Sequence, residues 1–275
     1  MDQAPLKVIE PRTGFNILAE IIDIWRHREL LYLLAWRDYK VKYRQTVIGI
    51  AWAIFQPVVA MIAFVFIFGQ FKGLTDNGIP YALFVYSGLV IWQFFANSVS
   101  EASTSLVQSS QMITKIYFPR IIVPLAKVLT QSIDLVLSLI ILAGLMIYFG
   151  TVPSFLGLIS LIPLFILLLV VSASVGVLLS AINVRYRDVQ YALPYFIQMG
   201  LFFSPVIYAG SKLGRFQHFL NLNPVTGLIE SFRSALFSTP LPGSALLISC
   251  LVTLLLFLVG MYYFIKAEGA FSDVI

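Results

Sequence analysis

The chain has 275 residues, of which 59% are hydrophobic and only 11% charged, with a formal net charge of +5 and a mean hydropathy of +0.91. A soluble domain carries roughly 25% charged residues, so this composition excludes a water-soluble globular protein and describes a polytopic membrane protein. One cysteine, Cys250, excludes a disulfide framework or a Cys-based zinc site, and two histidines, His27 and His218, are too few for a metal centre.

Residues 1–16 contain Pro5, Pro11 and Gly14 and read as a cytosolic lead; Asp2, Glu10 and the lack of an apolar stretch argue against a cleavable signal peptide. Residues 17–44 read as an interfacial helical region with a break near His27. Within it, Tyr32, Trp36, Tyr39 and Tyr43 share one helical stripe, and Arg37, Lys40 and Arg44 form a second beside it. Rings flanked by cations suit the headgroup layer, where cations meet lipid phosphates. The stretch ELLYLLAWRDYKVKYRQTVIGIAW at 29–52 is expected to pass from this surface helix into the first span with no break.

Charge-poor runs then mark six expected spans, each needing about 20 apolar residues. They cover 46–69 (with a kink at Pro57), 81–100, 121–149, 155–182, 189–209 and 244–265. Six spans put both ends on one side. Of the 18 Lys and Arg residues, all but Lys72, Lys212, Arg215 and Arg233 fall on the side of the termini, which positive-inside counting assigns to the cytoplasm.

Two connecting segments read as short helices. In the outer loop, Asn223-Pro224 is an N-cap followed by proline at the first helical position. Val225, Leu228, Ile229, Phe232 and Leu236 then form an apolar face, with Glu230 and Arg233 spaced as an i,i+3 pair. This helix is too short to span and should lie at the outer interface or dip in as a re-entrant segment, as a structural cap or a gate. Between spans two and three, SSQMITKIYFP at 109–119 reads as a helix capped by Ser109 or Ser110 and ended by Pro119. Ile113, Ile116 and Tyr117 lie on one side of it, placed either to pack on the membrane surface or to fill a partner's groove.

No closely spaced carboxylate pair and no Ser/His/Asp arrangement supports an enzyme. Asp134 is the acidic residue well inside a span, with Thr130 and Gln131 as local partners, as a polar anchor or a proton-coupling group. In span two, Tyr86, Gln93, Asn97, Ser100 and Thr104 make a polar face that must point at other helices or a wet cavity. In span five, Tyr191, Tyr195, Gln198 and Phe202 share a face of aromatic and amide groups, suited to the C–H faces and hydroxyls of sugars. No glycine is followed by lysine, so the chain has no Walker A loop, and any ATPase must be another chain.

WRDYKVKYRQTVIGIAW at 36–52, KIYFPRIIVPL at 115–125, NVRYRDV at 183–189, SPVIY at 204–208, NPVTGLIESFR at 223–233 and EGAFSDVI at 268–275 occur in that order. Together they give a chain that resembles, end to end, the permease subunit of bacterial ABC transporters exporting O-antigen, teichoic acid and related lipid-linked polysaccharides. The tail departs from the family pattern: members often carry a basic residue and Thr or Tyr before the Phe, where this chain has Gly269-Ala270. The resemblance implies a homodimer of twelve spans in the bacterial cytoplasmic membrane and two separate ATPase subunits that hold ATP and magnesium. It also implies a pore between the two copies lined mainly by spans one and five.

The resulting expectation is an all-α integral membrane protein: one permease domain over 1–275, with lead and interface helix to 45, six spans to 265 and a cytosolic tail. No cofactor is expected on this chain, and no nucleic acid. Gln93, Asn97, Tyr191, Tyr195, Gln198 and Phe202 are expected to face the glycan, and Arg37, Lys40 and Arg44 to attract the lipid diphosphate or bulk lipid phosphates. Ile113, Lys115, Ile116, Tyr117, Arg187 and Asp188 are expected at the ATPase contact, and Glu230 and Arg233 on the outer helix. A secondary transporter built on Asp134, or a membrane glycan-processing enzyme, are the competing readings.

Overall fold

The computed structural model describes residues 17–44, 49, 51–70, 75, 78–115 and 118–269, with only the backbone at 213, 215, 216 and 218. The expected lead, the first residues of span one, Lys72, Ile116, Tyr117, the tail from 270 and the side chains of Arg215 and His218 lie outside that description.

All regular structure among the described residues is helical. Helices α1 (Ile17–Arg26) and α2 (Arg28–Arg44) are separated at His27, whose ring and backbone N–H both reach the Asp23 carbonyl. The long helices are α3 (Ala51–Phe68), α4 (Tyr81–Gln108), α6 (Ile122–Tyr148), α7 (Phe155–Arg185) and α11 (Gly243–Glu268). Between them lie α5 (Ser110–Ile113), α8 (Val189–Phe202), a 3₁₀ turn (Gly210–Phe216), α9 (Gln217–Asn221) and α10 (Pro224–Phe237).

Two expectations change. The surface helix does not run unbroken into the first span: between α2 and α3, Gly49 has φ +59°, a left-handed conformation that interrupts a helix and suits glycine. Among the described residues, five helices, rather than six, are by themselves long and apolar enough to cross a bilayer. The fifth expected span is the 14-residue α8, about 21 Å long against a hydrocarbon core of about 30 Å. Pro205 explains the stop, because its ring disfavours helical backbone at Ser204. The hydroxyls of Ser204 and Tyr208 then bond the Gly200 and Phe202 carbonyls that α8 leaves open.

Helix α4 is the centre of the bundle, packed by α3, α6, α7, α8 and α10. It is the least hydropathic of the five long helices yet 78% of its apolar window is buried, because small residues let neighbours approach. A Cβ on Gly176 of α7 would stand 2.7 Å from that of Ala102, and the Asn183 amide donates to the Ser103 carbonyl at 3.0 Å.

The core divides into two ends. At one, Leu106, Ile113, Phe118, Ile121, Val184 and Phe264 pack together, with Ile17, Ile24 and Leu30 of α1 and α2 against them. Arg120 bonds the Glu268 backbone carbonyl there, so α1, α2, the α4–α6 connection, the end of α7 and the end of α11 share this end. At the other end, Tyr81 donates to the Ile207 carbonyl at 3.1 Å, and the Ser154 backbone N–H donates to Ser238 Oγ at 3.2 Å.

Helix α10 belongs to that second end. Its Asn223 cap accepts from the Val225 N–H at 3.0 Å, as the sequence predicts. Its polar side, however, does not face outward. Thr226, Gly227, Ser231, Arg233 and Ser234 are as buried as Val225, Leu228 and Phe232, because α10 is wedged between α4, α7 and α11. Gly227 lies directly on the Ala245 carbonyl, leaving no room for a side chain.

Candidate functional site

The aromatic stripe on α2 forms a continuous ladder: Tyr32–Trp36, Trp36–Tyr39 and Tyr39–Tyr43 have ring centroids 6.5, 5.6 and 5.3 Å apart. Beside it, Arg37, Lys40 and Arg44 are all exposed. Arg37 bonds the neighbouring Asp38 at 2.8 Å, and the Lys40 ammonium sits 5.2 Å from the Trp36 ring. Lys40 and Arg44 therefore stand as exposed cations on α2, whereas Arg37 is already bonded to Asp38.

The opposite face of α2 holds residues that the stripe pattern does not reveal. Leu34 is buried against Ile122 and Ala126 of α6. One turn on, Asp38 pairs with Lys127 of α6 at 3.1 Å; another turn on, Lys42 pairs with Asp134 at 2.7 Å. Tyr43 donates to the same carboxylate at 2.5 Å, and the Lys42 ammonium also donates to Gln131 at 2.9 Å. Burial, then this bond to Asp134, push the Tyr43 phenol well above its ordinary range, so it stays a donor. Asp134 is thus held from α2, not by Thr130, whose hydroxyl turns to the Ala126 and Ala35 carbonyls. The available signal was the i,i+4 spacing of Asp38 and Lys42 beneath Leu34, with charges of opposite order at 127 and 134.

Above this ion pair lies a pocket of about 170 Å³ between α2, α3, α4 and α6. Gln93 and Asn97 line it, with Trp52 and Gln56 of α3 and Gln131, Asp134 and Ser138 of α6. The expected glycan-facing residues of α8 do not join them. Tyr191, Tyr195 and Phe202 are 70%, 72% and 50% exposed, Gln198 is exposed as well, and none of the four lines this pocket. The reason is the two-faced α4. Its Phe84–Gly88–Trp92 side takes α8 and α10, with Trp92 under Gly200, while its Tyr86–Gln93–Asn97 side takes α6, where Tyr86 donates to the Ser138 carbonyl at 3.3 Å.

At the opposite end Arg233 is 6% exposed and lies 3.5 Å from the centre of the Phe84 ring. Its guanidinium donates to the carbonyls of Phe84 at 2.9 Å, Val206 at 2.7 Å and Pro205. Arg233 therefore ties α10 to α4 and to the turn after α8 as a planar fork. Glu230 and Arg233 both line a second pocket of about 250 Å³, with Ser211, Gln217 and Thr239.

The expected ATPase-contact helix is one turn, α5, and neither Ser109 nor Ser110 caps it through its side chain. Ile113 is 5% exposed and packs in one apolar cluster with Leu106 and Phe118, so it is not an outward anchor. Lys115, Arg187 and Asp188 are exposed at the same end of the bundle.

The ABC-2 type transporter family matches residues 29–237, from the start of α2 to the last residue of α10. The chain is 26% identical over 249 residues to the O-antigen export system permease protein RfbA of Klebsiella pneumoniae, covering 90% of this chain and 95% of that one. It is 27% identical over 226 residues to the protein of the same name from Myxococcus xanthus, covering 81% and 85%. It is also 22% identical over 263 residues to the polysialic acid transport protein KpsM of Escherichia coli, covering 94% and 98%. With a match over most of its length, the chain belongs to the ABC-2 type transporter family.

Proposed function

We propose that this chain is the permease of an ATP-driven exporter that carries a polyprenyl-diphosphate-linked polysaccharide of the O-antigen kind across the bacterial cytoplasmic membrane. The observation that carries this reading is the near-complete mutual coverage with permeases named for O-antigen export and polysialic acid transport. Two copies enclose the pore, and ATP and magnesium are held on separate ATPase subunits. Both termini lie in the cytoplasm, which is supported by the concentration of basic residues at the end shared by α1, α2 and the end of α11. The exposed α8 supports a path between copies: a helix with no buried residue, bearing Tyr191, Tyr195 and Gln198, has an unpartnered mixed face. The Asp134 ion pair with Lys42 weighs against a coupling-ion transporter, because its carboxylate is already neutralised.

Deletion of the gene in its host tests the reading. Surface polysaccharide should vanish while lipid-linked glycan accumulates inside, and a plasmid copy should restore export. Unchanged surface polysaccharide in the deletion strain would sink it.

A further inference from the structure

The pocket between α2, α3, α4 and α6 contains polar groups in an unusual balance. Its charged members, Lys42 and Asp134, neutralise one another at 2.7 Å. Three side-chain amides, those of Gln56, Gln93 and Asn97, line it with no hydrogen-bond partner among the described residues. An unpaired amide in a membrane protein is costly away from water, so each needs water or a ligand here. An amide both donates and accepts, which matches a hydroxyl, itself donor and acceptor. A phosphate offers acceptors alone and carries charge, and a pocket with no net charge gives it nothing to offset its desolvation.

Trp52 adds shape. It stands at the pocket's α3 wall, 47% exposed, held edge-on by Phe55 with ring centroids 5.5 Å apart. Its electron-rich face suits the C–H side of a sugar ring. About 170 Å³ holds several waters or one pyranose.

We propose that this pocket is a subsite for a single neutral pyranose ring, distinct from the exposed α8 face and gripped by Gln93 and Asn97 against Trp52. The proposal rests on the polysaccharide-export reading and adds the class of sugar and its seat. The ring docks with its hydroxyls on the amides and its C–H side on the indole, directly above the ion pair that holds α2 to α6.

Two measurements test it. In the first, the full-length permease, purified in a sugar-free detergent, is titrated with neutral methyl hexopyranosides (gluco, galacto and manno) and separately with inorganic diphosphate. At least one glycoside should change tryptophan fluorescence saturably, and the change should be lost in Trp52→Phe and weakened at least 10-fold in the Gln93→Leu, Asn97→Leu double variant. No Trp52-dependent change with any of the three overturns the proposal, as does a response to diphosphate alone. In the second, the double variant is expressed in the deletion strain. Export should fall at least 10-fold with membrane level and thermal stability unchanged. If deletion abolishes surface polysaccharide but the double variant exports normally, the pocket is no transport subsite. If deletion leaves surface polysaccharide intact, the export reading fails instead, and the titration decides the pocket by itself.

Discussion

Lys42 on α2 and Asp134 on α6 meet at 2.7 Å with opposite charges, one step beyond the pair in which α2 supplies the acid, Asp38, and α6 the base, Lys127. The alternation fixes the register of the interface helix, since sliding α2 by one helical turn would bring like charges together. The two side chains differ in what they do when left alone. Lys42 is 33% exposed and can snorkel to water, whereas Asp134 is 16% exposed and short.

Loss of Lys42 should therefore cost more than loss of Asp134. Breaking a fully buried pair from one side costs about 3–5 kcal/mol; with Tyr43 still donating, Lys42→Met should cost about 2 kcal/mol. Asp134→Asn should cost less, and the double variant Lys42→Met, Asp134→Leu should recover part of the loss. Thermal unfolding of purified protein measures this. Equal losses in the single and double variants would show that the pair does not hold α2.

Arg233 should tolerate no replacement. Removing it leaves the carbonyls of Pro205 and Val206 without this donor, at about 1–3 kcal/mol for each that stays dry, while the Phe84 carbonyl keeps the Ser87 hydroxyl. Lysine keeps the charge but lacks the planar fork, so Arg233→Lys and Arg233→Leu should both lower the unfolding temperature and the yield of inserted protein. Gly88→Ala should mimic them, because its Cβ would stand 2.5 Å from the Arg233 guanidinium. A stable, export-competent Arg233→Leu would remove the fork from the account.

Much of this arrangement was legible in the sequence, and the failures share a cause. Charge-poor runs gave the long helices to within a few residues where both ends are described, apart from two extra turns on α4, and the Asn223-Pro224 cap and the break at His27 needed only local rules. What sequence reading missed depends on neighbours. Ile113 looked exposed because periodicity cannot say that its helix ends after four residues. Spacing alone pairs Arg233 with Glu230, because its other partners, at Phe84 and at 205–206, are 149 and up to 28 residues away. Gln93 and Tyr195 looked like one lining because helical wheels do not show that α4 has different neighbours on its two sides.

The sidedness can be measured by thiol labelling. In a Cys250→Ser background, cysteines replacing Thr75 and Ser211 should react with an impermeant reagent added to intact cells. One replacing Val189, at the end shared with α1 and α2, should react only after the cells are opened. Labelling of Val189→Cys alone from outside would invert the topology.

The buried and exposed members of the expected ATPase contact should separate. Ile113→Ala should destabilise the permease itself, by about 2–5 kcal/mol for a large-to-small core change. Lys115→Glu and Arg187→Glu, both at exposed positions, should leave its unfolding temperature unchanged and reduce copurification of the ATPase. Full copurification with both charge reversals combined would move the contact elsewhere on this end.

Helix α8 carries the last expectation. None of its 14 residues is buried, although it stands between α7 and a densely packed outer segment. Lipid alone is a poor neighbour for it, because Gln198 and the hydroxyls of Tyr191 and Tyr195 would meet hydrocarbon with no partner among the described residues. A second copy across a wet path answers both the exposure and the polarity. In the Cys250→Ser background, Tyr195→Cys should then form a disulfide between copies on mild oxidation, which requires Cα atoms roughly 4.4–6.8 Å apart, or be joined by a short thiol cross-linker if the path holds the helices apart. Ile166→Cys, 54% exposed on α7, is the control and should not cross-link. Tyr195→Ala and Gln198→Leu should also reduce export while leaving membrane insertion intact. Should no position among 191, 195, 198 and 202 cross-link above the Ile166 control, and both substitutions export normally, α8 faces lipid and the path lies elsewhere.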